Sequence, residues 1–157
     1  MSQTIKPAAI RKTFTVRAAP EKAFAIFTDG FGRWWPKSHY IGDSPLTTAV
    51  VEPGVGGRWY GLHEDGHESP WGDVLAWEPP TRLVLAWRIS GEWTYDPRLL
   101  TEVEVRFTAL GEGETRIDFE HRGLERFGDS EAARKTLASM DGGWSLILDS
   151  FKALVDG

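Results

Sequence analysis

The stretch TEVEVRFT (Thr101 to Thr108), followed by ALGEGE and then TRIDFEHR (Thr115 to Arg122), decides the fold. Val103, Val105 and Phe107 alternate with Glu102, Glu104 and Arg106. Ile117, Phe119 and His121 repeat the pattern against Asp118, Glu120 and Arg122. Strict alternation is the signature of strands with one buried and one wet face. Gly111-Glu112-Gly113 between them reads as the turn of an antiparallel pair.

Working outward, further segments alternate or carry turn signals. Ile10 to Arg17 puts Ile10, Phe14 and Val16 on one face, with Lys12 as the exception. Thr47 to Glu52, Gly57 to Glu64, Trp71 to Glu78 and Thr81 to Ser90 read as four more strands, separated by Pro53-Gly54, Asp65-Gly66 and Pro79-Pro80. Asp65-Gly66 is taken as a two-residue hairpin turn. Pro20 with Glu21 marks a helix start and Gly30 its stop. Gly32 to Trp35 reads as a second short helix ended by Pro36, and Lys37 to Pro45 as loop. From Ser130 to Val155, Leu137, Met140, Trp144, Ile147, Leu148, Phe151, Leu154 and Val155 recur at three- and four-residue steps, so this segment is a long amphipathic helix. Gly142-Gly143 inside it implies a kink or a close packing contact. The expected order is one strand, two helices, six strands and a long helix. That is an α+β domain filling residues 1–157 (core about 10–155), with a curved antiparallel sheet of about seven strands wrapped around the last helix.

Composition narrows the function. With 157 residues, no cysteine and a formal net charge of −5, thiolate chemistry, disulfides and cysteine-held metals are excluded. Unspecific attraction to nucleic acid or anionic membranes is disfavoured. The N-terminal ten residues lack a signal-peptide core and no apolar run spans a membrane, so a cytoplasmic location is expected. Eight tryptophans are the unusual feature. Trp77, Trp87 and Trp144 read chiefly as core. Trp34, Trp35, Trp59, Trp71 and Trp93 lie nearer loops or strand ends, where a cavity mouth would be. With Trp87, Trp144, Phe107, Phe119 and His121, those five make the expected wall of a pocket for a small hydrophobic guest.

Catalytic signatures are weak. His121 shares the inner face with Ile117 and Phe119, either as a group aimed at a guest or as a core histidine satisfied by backbone or Glu125. An acid–base pair would need an inward Asp73 or Tyr60 beside it. Asp73 shares parity with Trp71, Leu75 and Trp77, yet Val74 and Ala76 could face inward instead; the alternatives stay open. His63 and His67 are four residues apart, but a two-residue turn would send them to opposite faces, so no metal site is expected. Gly54-Val55-Gly56-Gly57 leads into a strand and is no phosphate loop. No Gly-x-Ser-x-Gly elbow occurs. Glu102, Glu104 and Arg106 read as a solvated face. No cofactor is expected.

Four stretches carry a family likeness: Phe27 with Trp34-Trp35-Pro36; Gly56-Gly57-Arg58-Trp59; Trp71-Gly72-Asp73-Val74-Leu75 leading to Pro79-Pro80-Thr81-Arg82-Leu83; and Gly143-Trp144. From about Ile10 to Leu154 the chain resembles the START-like, or Bet v 1-like (SRPBCC), superfamily with its helix-grip fold. Within it, the chain is similar to the bacterial group named after the activator of heat-shock-protein-90 ATPase. The resemblance implies binding of a lipid-, hormone- or polyketide-like molecule. Its alternatives are a cofactor-free polyketide cyclase or dehydratase, and an interaction protein acting on a chaperone ATPase. The eukaryotic namesake carries a separate N-terminal partner-binding domain, which is not expected in this chain. A homodimer or a chaperone contact is left open.

Overall fold

The computed structural model describes residues 8–157. Residues 1–7, part of the segment read above as lacking a signal-peptide core, lie outside the described residues. Seven strands form one antiparallel sheet: β1 (Ile10–Val16), β2 (Leu46–Val51), β3 (Arg58–His63), β4 (Glu68–Glu78), β5 (Arg82–Trp87), β6 (Thr101–Gly111) and β7 (Glu114–Arg122). Their order is β1-β7-β6-β5-β4-β3-β2. Helices α1 (Pro20–Thr28) and α2 (Phe31–Trp34) link the two edge strands, and α3 (Glu131–Asp156) follows β7 after a short 3-10 turn at Leu124–Phe127. The expected α+β helix-grip arrangement stands; the 3-10 turn was not expected.

Helix α3 begins at Ser130, whose hydroxyl accepts from the Ala133 N–H at 3.1 Å and so satisfies one of the four free amides. Its buried face carries Met140, Trp144, Ile147, Leu148, Phe151 and Val155 at helical spacing. Phe151 meets Phe27 and Trp34 with ring centres 5.1 and 5.3 Å away, and Trp144 meets Phe119 at 4.6 Å. Lys12, the polar residue on the inner face of β1, reaches Asp141 of this helix at 2.9 Å. The helix runs unbroken through Gly142-Gly143, and among the described residues no outside atom lies within 4 Å of where either Cβ would be. The close packing contact expected at that pair is therefore absent. Gly143 instead borders open space.

Two irregularities in β4 settle which of its residues face the helix. Trp59 pairs with Gly72 and Tyr60 with Pro70, so Trp71 is an extra residue on its strand. Val74 pairs with Leu85 and Ala76 with Val84, so Leu75 is a second. Each such bulge reverses the alternation and bends the sheet. Trp71 and Val74 consequently both face the core, and Asp73 faces out. At the first bulge the backbones of β4 and β5 approach so closely that a Cβ on Gly72 would overlap the Ala86 carbonyl oxygen. Gly72→Ala is expected to cost about 2 kcal/mol or more through forced separation of these strands; equilibrium urea unfolding measures it, and an unchanged midpoint would refute the close approach.

The outer face is less solvated than the alternation suggests. Glu104 is only 8% exposed because Arg82, Arg106 and Arg122 enclose it. Burial alone would raise its pKa. Hydrogen bonds from Arg82 and Arg122, with the charge of Arg106, outweigh that and hold it below the ordinary carboxylate range.

Candidate functional site

Between the loop after α2, the start of β4, the end of β5 with the chain that follows it, and the middle of α3 lies a cavity of about 460 Å3. Five indoles face it: Trp35, Trp71, Trp87, Trp93 and Trp144. Ile41, Ile89, Met140 and Ile147 complete the apolar lining, and the polar groups are Ser38, His39, Tyr40 and Ser139. The size suits a small organic molecule.

Three of the five indoles are held by hydrogen bonds. Trp35 donates from Nε1 to the His39 carbonyl at 2.7 Å, and Trp87 to the Ile89 carbonyl at 3.0 Å. Trp144 donates to His121 Nδ1 at 3.2 Å. Trp71 Nε1 is buried without a hydrogen-bond partner among the described residues, as is Trp59 Nε1; the two rings meet edge to face 5.6 Å apart. The space stays open at Gly143 because any side chain there would project into it.

Trp93 reaches the cavity by an unusual route. Gly91-Glu92-Trp93 forms a three-residue hairpin tip, closed by Ser90 N–H to the Thr94 carbonyl at 2.7 Å and Trp93 N–H to the Ser90 carbonyl at 2.9 Å. The third position of such a turn takes a positive φ and is normally glycine. Here Trp93 occupies it with φ 62°. Gly91 lets the tip sit flush on α3: a Cβ there would come within 2.8 Å of the Ala133 Cα, and the Thr136 hydroxyl donates to the Gly91 carbonyl at 2.5 Å. The tip is fastened, so the 48%-exposed Trp93 ring forms a standing wall at the mouth.

His121 does not line the cavity. It is fully enclosed behind Trp87 and Trp144. Its two nitrogens are committed in one consistent direction. Thr101 Oγ1 gives its only proton to the Trp87 carbonyl at 3.0 Å, so it accepts from His121 Nε2–H at 2.9 Å. His121 Nδ1 then accepts from Trp144. Burial pushes the imidazole down to a pKa of about 3, and it is neutral at pH 7. The satisfied-core alternative fits this geometry, with Thr101 and Trp144 as its partners.

The acid–base partners considered for His121 lie across the sheet. Asp73, turned outward by the bulges, accepts from Arg88 Nε at 2.7 Å. Tyr60 pairs with Pro70 and carries Arg58 over its ring at 4.4 Å, on the outer side with Arg58. Of the other expected pocket residues, Trp34, Trp59, Phe107 and Phe119 are packed into the core and do not face the cavity. Trp87 and Trp144, read chiefly as core, are part of its wall. Ser38, His39, Tyr40 and Ser139 were missed, because a loop without periodicity gives no facing information; the Ser-His-Tyr run itself was the available signal.

His63 and His67 do not go to opposite faces. His63 N–H donates to the His67 carbonyl at 2.9 Å and Gly66 alone takes a positive φ in that turn, so the loop is three residues, Glu64-Asp65-Gly66. A two-residue turn would need Asp65 in the same conformation. The extra residue shifts the register by one and brings the two rings to the same side, 6.0 Å apart. Both His63 nitrogens are already used, Nδ1 donating to the Ser44 carbonyl at 2.6 Å and Nε2 bonding Ser69 Oγ at 2.7 Å. Among the described residues no group of three or more His, Cys, Asp or Glu side chains is assembled for a metal. No helix among them is long and apolar enough to cross a membrane.

A curled antiparallel sheet gripping a terminal helix, with an aromatic cavity between them, defines an α+β protein of the helix-grip class. The chain belongs to the family of activator of Hsp90 ATPase homolog 1-like proteins, whose model matches residues 17–156. It is similar to the solved structure of an anthrahydroquino-gama-pyrone synthase, Txn09, complexed with SUM: 36% identity, TM-score 0.68, covering 96% of this chain and 98% of that one. It is also similar to CalC, a self-sacrificing resistance protein from Micromonospora echinospora, with 34% identity, TM-score 0.70 and 94% of each chain covered. The Aha1 dimer from Colwellia psychrerythraea, at 17% identity and TM-score 0.57 over 96% of this chain and 97% of that one, shares the fold. Among curated proteins none matches significantly.

Proposed function

We propose that this protein binds a flat, polycyclic aromatic small molecule of the polyketide kind in the cavity between its sheet and α3. The observation that carries the reading is the wall of five indoles around about 460 Å3 of space. Flat aromatic faces attract flat aromatic guests through burial at roughly 25 cal/mol per Å2 and through offset or edge contacts. Identity of about a third, over nearly whole chains, to an anthrahydroquino-gama-pyrone synthase supports the same class of guest. The likeness to the synthase also favours a second reading, cofactor-free catalysis on that guest. His121 with Asp73 or Tyr60 does not serve it, since those groups do not meet in the cavity.

Titration with anthraquinone-2-sulfonate is expected to quench the intrinsic tryptophan emission saturably. Trp93→Gly should weaken that binding up to about tenfold by removing one stacking face. The same change should leave stability unchanged or higher, because glycine takes the positive φ without strain. If no aromatic probe from a broad set perturbs the emission, the proposal fails.

A further inference from the structure

We propose that Ser38, His39 and Tyr40 form a built polar corner that reads a hydroxyl group on the aromatic guest, with His39 Nε2 making the hydrogen bond to that hydroxyl; the inference rests on the aromatic-binding reading above. The cavity is apolar except where this segment and Ser139 border it. Both rings of the corner are held while their polar tips are unspent. His39 Nδ1 is bonded to Ser38 Oγ at 2.9 Å, which leaves Nε2, and Nε2 makes no hydrogen bond among the described residues. The backbone under the ring is pinned twice. His39 N–H donates to the Pro36 carbonyl at 3.0 Å, and the His39 carbonyl accepts from the cavity-wall indole of Trp35 at 2.7 Å. These two bonds tie the loop to the cavity wall.

Tyr40 is steadied from the other side. Its ring stands edge-on to His63, 5.7 Å between centres, and His63 is itself locked by Ser44 and Ser69. The Tyr40 hydroxyl makes no hydrogen bond among the described residues, and the residue is 39% exposed at the mouth. An imidazole nitrogen and a phenol hydroxyl can each accept or donate. Set in a largely apolar cavity, they would orient a guest with its hydroxyl toward the loop and its unsubstituted rings among the indoles. The ligand class is accordingly a phenol or hydroquinone on a fused aromatic frame. Discrimination comes from the corner itself, because a guest without the hydroxyl leaves the polar tips facing carbon. Ser38 is a positioning residue, acting only through the ring it orients.

Calorimetric titration with 1-naphthol and 1-methoxynaphthalene tests this. The intact protein should prefer 1-naphthol by about tenfold, the ratio one well-placed hydrogen bond supports. His39→Phe should bring the ratio within about twofold, with 1-methoxynaphthalene bound at least as well as by the intact protein, which reports an intact cavity. Ser38→Ala should reduce the preference and Ser38→Thr restore it. A preference that survives in His39→Phe, or equal affinities in the intact protein, overturns this inference and leaves the aromatic-binding reading standing. If neither probe binds, both are overturned.

Discussion

His121→Ala is expected to lower the unfolding free energy at pH 7 by about 3–5 kcal/mol, more than any surface change in this protein. Two losses combine. The missing ring leaves a void among Trp87, Phe127 and Trp144, and the Trp144 Nε1–H loses its buried acceptor. The same residue makes stability depend on acid. Its pKa is about 3 folded against 6.5 in the open chain, so between those values the unfolded state binds the extra proton. Stability is full above pH 6.5 and falls as pH drops toward 3, at about 1.4 kcal/mol per unit from this group alone. His121→Gln removes that share. The difference between wild type and His121→Gln should therefore shrink by about 3 kcal/mol between pH 7 and pH 4.5, measured by urea unfolding at each pH. A difference that stays constant across that range would mean the folded imidazole takes up its proton freely, against the enclosure described.

The second large effect is expected at Trp144, where stability and binding meet. Its indole packs on Phe119, approaches Trp35 at 6.0 Å and Trp87 at 5.6 Å, and anchors the hydrogen-bonded chain through His121 to Thr101. Trp144→Ala should cost about 3–5 kcal/mol and abolish aromatic binding, because the helix side of the cavity then has no ring. Trp144→Phe separates the two roles. It keeps a ring in the wall but gives His121 Nδ1 no donor, so it should cost only about 1–2 kcal/mol and retain binding within a few fold. Thermal melts and probe titrations on both variants check this. Retained binding in Trp144→Ala would remove the indole from the site.

The helix-grip frame was readable because its signals are local. Val103 to Phe107 and Ile117 to His121 alternate without interruption, and their strands pair as the alternation requires. Met140 to Val155 keep helical spacing, so the face that α3 buries was evident before any contact was known. Pro20 and Gly30 bounded α1 for reasons internal to the helix. The site was legible only in kind: abundant tryptophan implied an aromatic cavity, and Trp35, Trp71, Trp87, Trp93 and Trp144 do border one. Trp34 and Trp59 could not be separated from them by sequence, since nearness to a loop does not say which side of a ring is covered. The loop from Ser38 to Ile41 has no period, and its facing depends on the Trp35 and His63 partners that hold it.

What the sequence determined by itself is the set of elements, their order and the faces that regular periodicity assigns, because those follow from backbone geometry repeated residue by residue. Tertiary structure alone decided where that repetition breaks. One extra residue at Trp71 and one at Leu75 turned Asp73 outward, and one at the Glu64–Gly66 loop brought His63 and His67 to the same side. A bulge or a lengthened turn is defined by how many residues oppose one on the neighbouring strand, and that count exists only once the two strands have paired.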